Sequence, residues 1–441
     1  MMIGQIPCFA FVAVVLSNAA LAGSHVPDLG PAPVFSPVDP DAAELGQLLF
    51  YDPILSGNRT VSCASCHHPR FGTGDGVSLS LGDGGQGLGP ERRADPDNMP
   101  EQRIPRNAPA LWNLGAAGMD VMFHDGRLEA DPNYGAGIRT PLEGDMVAGF
   151  DSALSAQAMF PVLSADEMAG HYGENEISRA VRLGQLSHEG GAWDLIASRV
   201  AAIPEYRQRF DTVLGEGAPI RFTDIGNVLA AFIRFEFRAM NSPFDRAMAG
   251  EATLSAEAAM GQGLFYGKAM CSSCHSGWLQ TDNGFHAIAI PQLGPGKAAR
   301  FESHARDVGR LRVTGAEEDA YRFRTPSLRN VSLTAPYGHS GAYATLEGVV
   351  RHHLDPVAGL RAYDRTQAIL PVLEGASDWR VMDDPAEVAA IADANDLAPI
   401  SLRDDEVAAL VAFLHALTDE EAAKGRLGVP DQVPSGLPVE P

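Results

Sequence analysis

Two pentapeptides carry the recognisable chemistry of this chain: Cys63-Ala64-Ser65-Cys66-His67 and Cys271-Ser272-Ser273-Cys274-His275. Paired thiols with a two-residue gap suit a zinc clip, a thioredoxin-like dithiol or covalent haem attachment. The histidine that follows both pairs points to the third. In c-type attachment the thiols add to two vinyl groups while the adjacent imidazole reaches the iron. One zinc site built from both pairs would leave both histidines unexplained, and the βαβ pattern expected around a redox dithiol is not found. The remaining cysteine, Cys8, lies in the amino-terminal apolar stretch, so no thiol is left over. The sequence predicts two covalently bound haem c groups.

The elements that must position these motifs recur. Each motif is preceded by "GQxLFY", at Gly46–Tyr51 and Gly261–Tyr266, an internal repeat read as a short amphipathic helix. Asp41 to Glu44 form a capping-box pattern at the start of the first copy. Helices are predicted over 223–237 and 401–419, with Thr223 and Ser401 placed to cap. Two helices crossing near its edge would bury a flat apolar cofactor. A second repeat relates 104–127 to 323–341. The expected fold is mainly α: two cytochrome c-like haem domains, 38–240 and 241–426, related by internal repeat and joined by long irregular loops. The glycine-rich stretch 79–98 lacks the Lys-Ser/Thr pair and preceding strand of a phosphate loop, so it reads as irregular wrapping around the first haem. The proline-rich tail 427–441 is predicted to be disordered.

At 441 residues the chain exceeds the roughly 250–300 at which single cores stop growing. Its 56 acidic and 33 basic residues give a net charge of -23, which argues against nucleic acid or an anionic membrane as partner and favours a basic protein. Residues 1–22 combine an apolar run from Phe9 to Leu16 with a small-residue end at Ala20-Leu21-Ala22. This predicts a signal peptide cleaved after about Ala22 and a periplasmic protein, although Lys and Arg are absent from the start. The run is too short to span a membrane comfortably.

Further motifs, "RNAPALWN" (106–113), "FHDGR" (123–127), "AQAMFPVLSADEM" (156–168), "RTPSLRNVSLTAPYGHSG" (324–341) and "LEGVVRHH" (346–353), together resemble the bacterial di-haem cytochrome c peroxidase superfamily. That superfamily includes the di-haem oxidase that matures methylamine dehydrogenase. The resemblance implies a peroxidatic first haem on His67 and a six-coordinate, electron-transferring second haem on His275. It places the second haem's distal ligand 14 residues after His339, at His353. From the residues alone His352 is an equal candidate, since neighbouring helical side chains point about 100° apart and only one can face the iron. Histidine in place of the usual Met or Tyr implies a lower potential than a Met ligand would give.

The resemblance also maps the gating histidine of classical members, 16 residues after His67, onto Asp83, which implies a permanently open first site. The family's catalytic glutamate falls on Glu167, with Gln157 and Pro161 at matching distal positions; without the resemblance, Ser164 to Glu167 reads equally well as a capping box. A calcium ion is implied at Asn107, Thr334 and Pro336, through carbonyl oxygens. The interhaem tryptophan falls on His124, leaving Trp112 as a substitute relay or an ordinary core residue.

The expected function is reduction of hydrogen peroxide at the first haem with electrons from a small donor protein, a cytochrome c or cupredoxin, entering through the second. One alternative is an oxidase that uses peroxide equivalents on a Trp or Tyr of a partner protein. Another is a non-catalytic electron carrier, in which His124 or Met122 would ligate the first iron.

Overall fold

The computed structural model describes residues 27–143, 146–297 and 302–440, so the predicted signal segment lies outside the described residues. Among the described residues the chain is mainly helical, with three small sheets of two- and three-residue strands. Helices of nine residues or more are α1 (Pro40–Tyr51), α2 (Ala192–Ala201), α3 (Pro204–Leu214), α4 (Phe222–Glu236), α5 (Ala256–Phe265), α6 (Leu346–Leu354), α7 (Pro385–Asp393) and α8 (Asp404–His415). Among the described residues no helix is long and apolar enough to cross a membrane.

Carboxylates set the starts of α1, α4 and α8, whereas the hydroxyls of Ser255 and Thr345 cap α5 and α6. Asp39 caps α1 by accepting from the Asp41 amide, with Pro40 in the first turn, so the cap lies two residues before the one expected. The Arg221 amide at the head of α4 donates to Asp224 at 2.8 Å, and the Arg403 amide at the head of α8 donates to Glu406 at 2.8 Å. Thr223 and Ser401 therefore do not cap: Arg221 and Arg403 hold the cap positions, and the acidic third residue of each first turn takes the open amide.

One packing arrangement occurs twice, α1 on α4 and α5 on α8. A Cβ at Gly46 would overlap the Val228 carbonyl, and one at Gly261 would overlap the Ala409 carbonyl. Only glycine permits either backbone approach. Beside each crossing three rings form the same triangle: Phe50–Phe232 at 5.1 Å and Tyr51–Phe232 at 6.2 Å in one, Phe265–Phe413 at 5.1 Å and Tyr266–Phe413 at 6.2 Å in the other. The surrounding cores are separate, one drawing mainly on residues between Ala42 and Ala239, the other on residues between Phe244 and Leu417.

The tail corrects the expectation of disorder over 427–441. Glu236 accepts the amides of Arg426, Leu427 and Gly428, and Gln47 donates to the carbonyls of Leu427 and Gly428. Val433 is buried in the first core, Ser435 donates to Asp52 at 2.7 Å, and Glu440 accepts from Ser65, inside the first motif, at 2.9 Å. Proline discourages helix and sheet, but here the tail's polar and apolar groups find partners on another part of the chain. The glycine-rich loop is similarly anchored: buried Arg92 donates to the carbonyls of Leu81, Gly82 and Gly87.

The segments 104–127 and 323–341 meet between the two halves. The Asn107 amide donates to His339 O at 2.9 Å, and the Arg324 amide to His124 O at 2.7 Å. Beside them Arg106 forms a fork with Asp307 at 2.6 and 2.8 Å and pairs with Asp125 at 2.7 Å, all three buried.

Candidate haem sites

Each Cys-x-x-Cys-His motif occupies a single 3-10 turn, Cys63–Ser65 or Cys271–Ser273, that opens onto a large cavity. The four cysteines are free. Burial, the largest influence on both, pushes the Cys63 and Cys66 thiols up to about 12 and keeps them protonated. His67 places Nδ1 3.0 Å from Thr73 O, and His275 places Nδ1 3.1 Å from Gln280 O. A carbonyl only accepts, so Nδ1 carries the proton in both and Nε2 is the free ligand nitrogen. Burial lowers both histidines, His275 to about 4 with help from His353, so each ring is held in its neutral, metal-binding form.

The second cavity brings His275 and His353 together, with ring centres 6.4 Å apart. Two imidazoles bonded to opposite sides of one metal, at about 2 Å each, have ring centres roughly 6 Å apart. His353 donates Nδ1–H to Val349 O at 2.8 Å, one helical turn back, which leaves its Nε2 free. The neighbouring His352 has neither nitrogen to spare: Nδ1 lies 2.7 Å from the Tyr343 hydroxyl and Nε2 2.7 Å from Ile288 O. Apolar residues including Phe265, Ile290, Leu346, Leu410 and Leu414 line the rest, as a flat apolar macrocycle requires. The donors and the shape of this cavity fit a covalently held haem with two imidazole ligands.

The first cavity is lined by Cys63, Cys66 and His67 on one motif and by Gln157, Pro161 and Glu167 on another stretch of chain. Glu167 sits in a single π-helical turn, Ala165–Ala169, a form concentrated at functional sites. Ser164 accepts from the Glu167 amide at 3.3 Å, so half of the expected capping box forms, while Glu167 itself lines the cavity. Asp83 does not line it; Asn58, Thr60 and Asn98 all donate to its buried carboxylate. Arg127, Lys297 and Arg324 also line this cavity. Burial and the Arg127 charge bring Lys297 down to about 8, against the opposing pull of Glu167. Arg127 lies in a motif the sequence displays, but Lys297 arrives from the other half of the chain with no local signal.

His124 borders both cavities and places Nε2 2.9 Å from Asn107 O. Burial, reinforced by Arg106, lowers it to about 4. Asn107, Thr334 and Pro336 all border the second cavity, and the Asn107 side-chain amide donates to Val77 O at 2.9 Å. Trp112 is a core residue that also borders that cavity: its Nε1 donates to Gly72 O at 2.9 Å and its ring meets Phe237 edge-on at 5.6 Å.

Residues 40–253 match the family model for di-haem cytochrome c peroxidases. A methylamine utilization protein MauG from Methylorubrum extorquens is 31% identical over 74% of this chain and 72% of its own length. The cytochrome-c peroxidase IdrP1 of Denitromonas iodatirespirans is 32% identical over 77% of this chain and 81% of its own. The chain belongs to the di-haem cytochrome c peroxidase family. Membership makes it an oxidoreductase and implies two c-type haems, in agreement with the two motifs and cavities. Among solved structures, a MauG-like protein associated with microbial copper homeostasis superposes with a TM-score of 0.57 at 27% identity, covering 90% of this chain and 96% of that one. The diheme peroxidase BthA of Burkholderia thailandensis gives 0.57 at 22% identity over 92% of each chain, a likeness of fold.

Proposed function

We propose that this member of the family is a periplasmic peroxidase that reduces hydrogen peroxide at the first site with electrons delivered through the second. The supporting observation is the asymmetry of the two cavities. One sets a second imidazole, His353, against its motif histidine; the other has a carboxylate, an amide and a proline in its wall. When bound, the haem on His67 would supply an open iron position for peroxide, and the haem on His275 and His353 would take up and pass single electrons. Cys63 and Cys66, and Cys271 and Cys274, would hold them covalently.

The chain's own contribution is proton handling and exclusion of water. Glu167 takes the proton from the inner peroxide oxygen and returns it to the departing outer one, so the O–O bond breaks with water rather than hydroxide leaving. Two electrons and two protons convert each peroxide to two waters. Gln157 donates a hydrogen bond that orients the oxidant, and Pro161 fills space without offering a competing ligand. Arg127 and Lys297 keep Glu167 in a positively charged setting. A small basic cytochrome c or cupredoxin suits the acidic chain as donor. Asn107, Thr334 and Pro336 would bind calcium through oxygen atoms beside the second site; stripping calcium with a chelator is then expected to slow reduction of the second haem, and rebinding to restore it.

The test of this reading is Glu167→Gln in the haem-loaded protein. Peroxide turnover should fall by about 10²–10⁴ with both haem spectra intact; unchanged turnover removes Glu167 from the mechanism.

A second reading, an oxidase that acts on a Trp or Tyr of a partner protein, is favoured by the burial of Asp83 among amide and hydroxyl donors where classical members gate. Peroxide consumption by the oxidised protein without any added reductant, accompanied by modification of a co-expressed partner, would select it.

A further inference from the structure

Beyond His353 a file of aromatic rings leads from the second site to the surface. The His353 and His352 ring centres are 6.2 Å apart, His352 and Tyr343 5.0 Å, Tyr343 and Tyr363 5.6 Å, and Tyr363 and Trp379 6.3 Å. Each step lies within the range of direct ring contact. Tyr343 is buried, whereas Tyr363 and Trp379 are partly exposed. The composition of the file is what distinguishes it from packing. At the α1–α4 crossing the clustered rings are mostly phenylalanine, Phe50, Phe232 and Phe237, which proteins do not oxidise; here every member is His, Tyr or Trp.

We propose that Tyr343, Tyr363 and Trp379 form a conduit for single electrons between the His275–His353 site and the surface at Trp379. The proposal rests on reading that site as an electron-transferring haem centre. The Tyr343 hydroxyl lies 2.7 Å from Nδ1 of His352, whose Nε2 must carry the proton that it gives to Ile288 O. Nδ1 is therefore an acceptor, and Tyr343 has a destination for its proton.

When the second site lacks an electron, one electron leaves Tyr343 to fill it; the phenolic O–H bond breaks and an N–H bond forms at His352. An electron from Trp379 then crosses the Tyr363 ring, which is not itself oxidised, and restores Tyr343 as the proton returns from His352. Trp379 is left one electron short and gives its indole proton to water. The Arg365 guanidinium, 4.8 Å above the Trp379 ring, disfavours an added positive charge there and so favours that deprotonation. Hydrogen peroxide accepted at the first site is the ultimate oxidant; a reductant docking at Trp379, or an oxidisable side chain of a partner, supplies the replacement electron.

The conduit is tested without peroxide. A ruthenium polypyridyl photo-oxidant is attached to a cysteine introduced by Arg380→Cys, an exposed position beside Trp379, in haem-loaded protein whose second haem is reduced. After a flash, oxidation of that haem is followed by its absorbance. Trp379→Phe and Tyr343→Phe should each slow it at least tenfold, and Trp379→Tyr should recover most of the rate. An unchanged rate in Trp379→Phe, a partly exposed and structurally mild change, overturns the conduit. In a parallel arm, peroxide is added without reductant and oxidised residues are mapped by mass spectrometry. Slowed flash rates with no peroxide consumed would support the conduit and refute the peroxidase reading. Unchanged flash rates with peroxide still consumed would do the reverse.

Discussion

At the scale of single residues, the sites turn on which polar atoms are already spoken for. His352 and His353 are indistinguishable by type and differ by one position, and no local pattern separates them. The separation comes from Tyr343, nine residues earlier, and Ile288, 64 residues earlier, which occupy both nitrogens of His352 and leave the Nε2 of His353 free. We expect His353→Ala to convert the second haem from six- to five-coordinate, seen as a high-spin shift in its absorbance and electron paramagnetic resonance. His352→Ala should leave coordination unchanged while loosening Tyr343. The opposite result would exchange their roles. The motif cysteines and histidines, by contrast, were legible because covalent attachment demands them in consecutive order. A place for Glu167 in the cavity wall was suggested only by family resemblance, since its other apparent use, a helix cap, is half satisfied in the same turn.

At the scale of elements, the repeated "GQxLFY" was legible as a pattern but its reason was not. The glycine serves a contact with another helix: Gly46 faces the backbone of α4, and Gly261 that of α8. A side chain there must push two helices apart, and overpacking of this kind costs about 1–3 kcal/mol. Gly261→Ala should therefore lower the thermal midpoint and cause partial loss of the second haem's native absorbance, with less effect on the first. Equal loss at both sites would contradict two separately packed cores. The helix starts and the tail were misread for a common physical cause. Propensity describes what a segment does alone, whereas Asp224, Glu406 and Glu236 each hand a carboxylate to backbone amides, the last across some 190 residues of chain. Ending the chain at Arg426 removes Leu427, Val433 and Leu437 from the first core together with the Glu440–Ser65 bond, which should uncover their apolar neighbours and lower the thermal midpoint.

At the scale of the molecule, the two halves are joined by buried charge. Burial alone would push the Asp307 carboxyl up, but the Arg106 charge and its hydrogen bonds prevail and bring it to about 2, and Asp125 is held lower still. Because the folded value lies below the unfolded one, the unfolded chain binds more protons between about pH 4 and 2. The stabilisation, about 2 kcal/mol from Asp307, is complete above that window and lost as pH falls through it. Arg106→Met removes the countercharge from two buried carboxylates and should cost about 3–5 kcal/mol. It should also flatten the acid limb between about pH 4 and 2, because both carboxyls then titrate in the folded protein at higher pH and the unfolded chain no longer binds more protons in that window. Acid titrations of unfolding that are superimposable for the two proteins would show that this triad does not join the halves. The central claim, a first site open to peroxide at rest beside a second site closed by two imidazoles, is tested most directly by stopped-flow absorbance. One equivalent of hydrogen peroxide is mixed with the fully oxidised, haem-loaded protein. The account predicts that the peroxide is consumed and the first haem's spectrum changes at once, with no prior reduction; no reaction until the second haem has been reduced would contradict it.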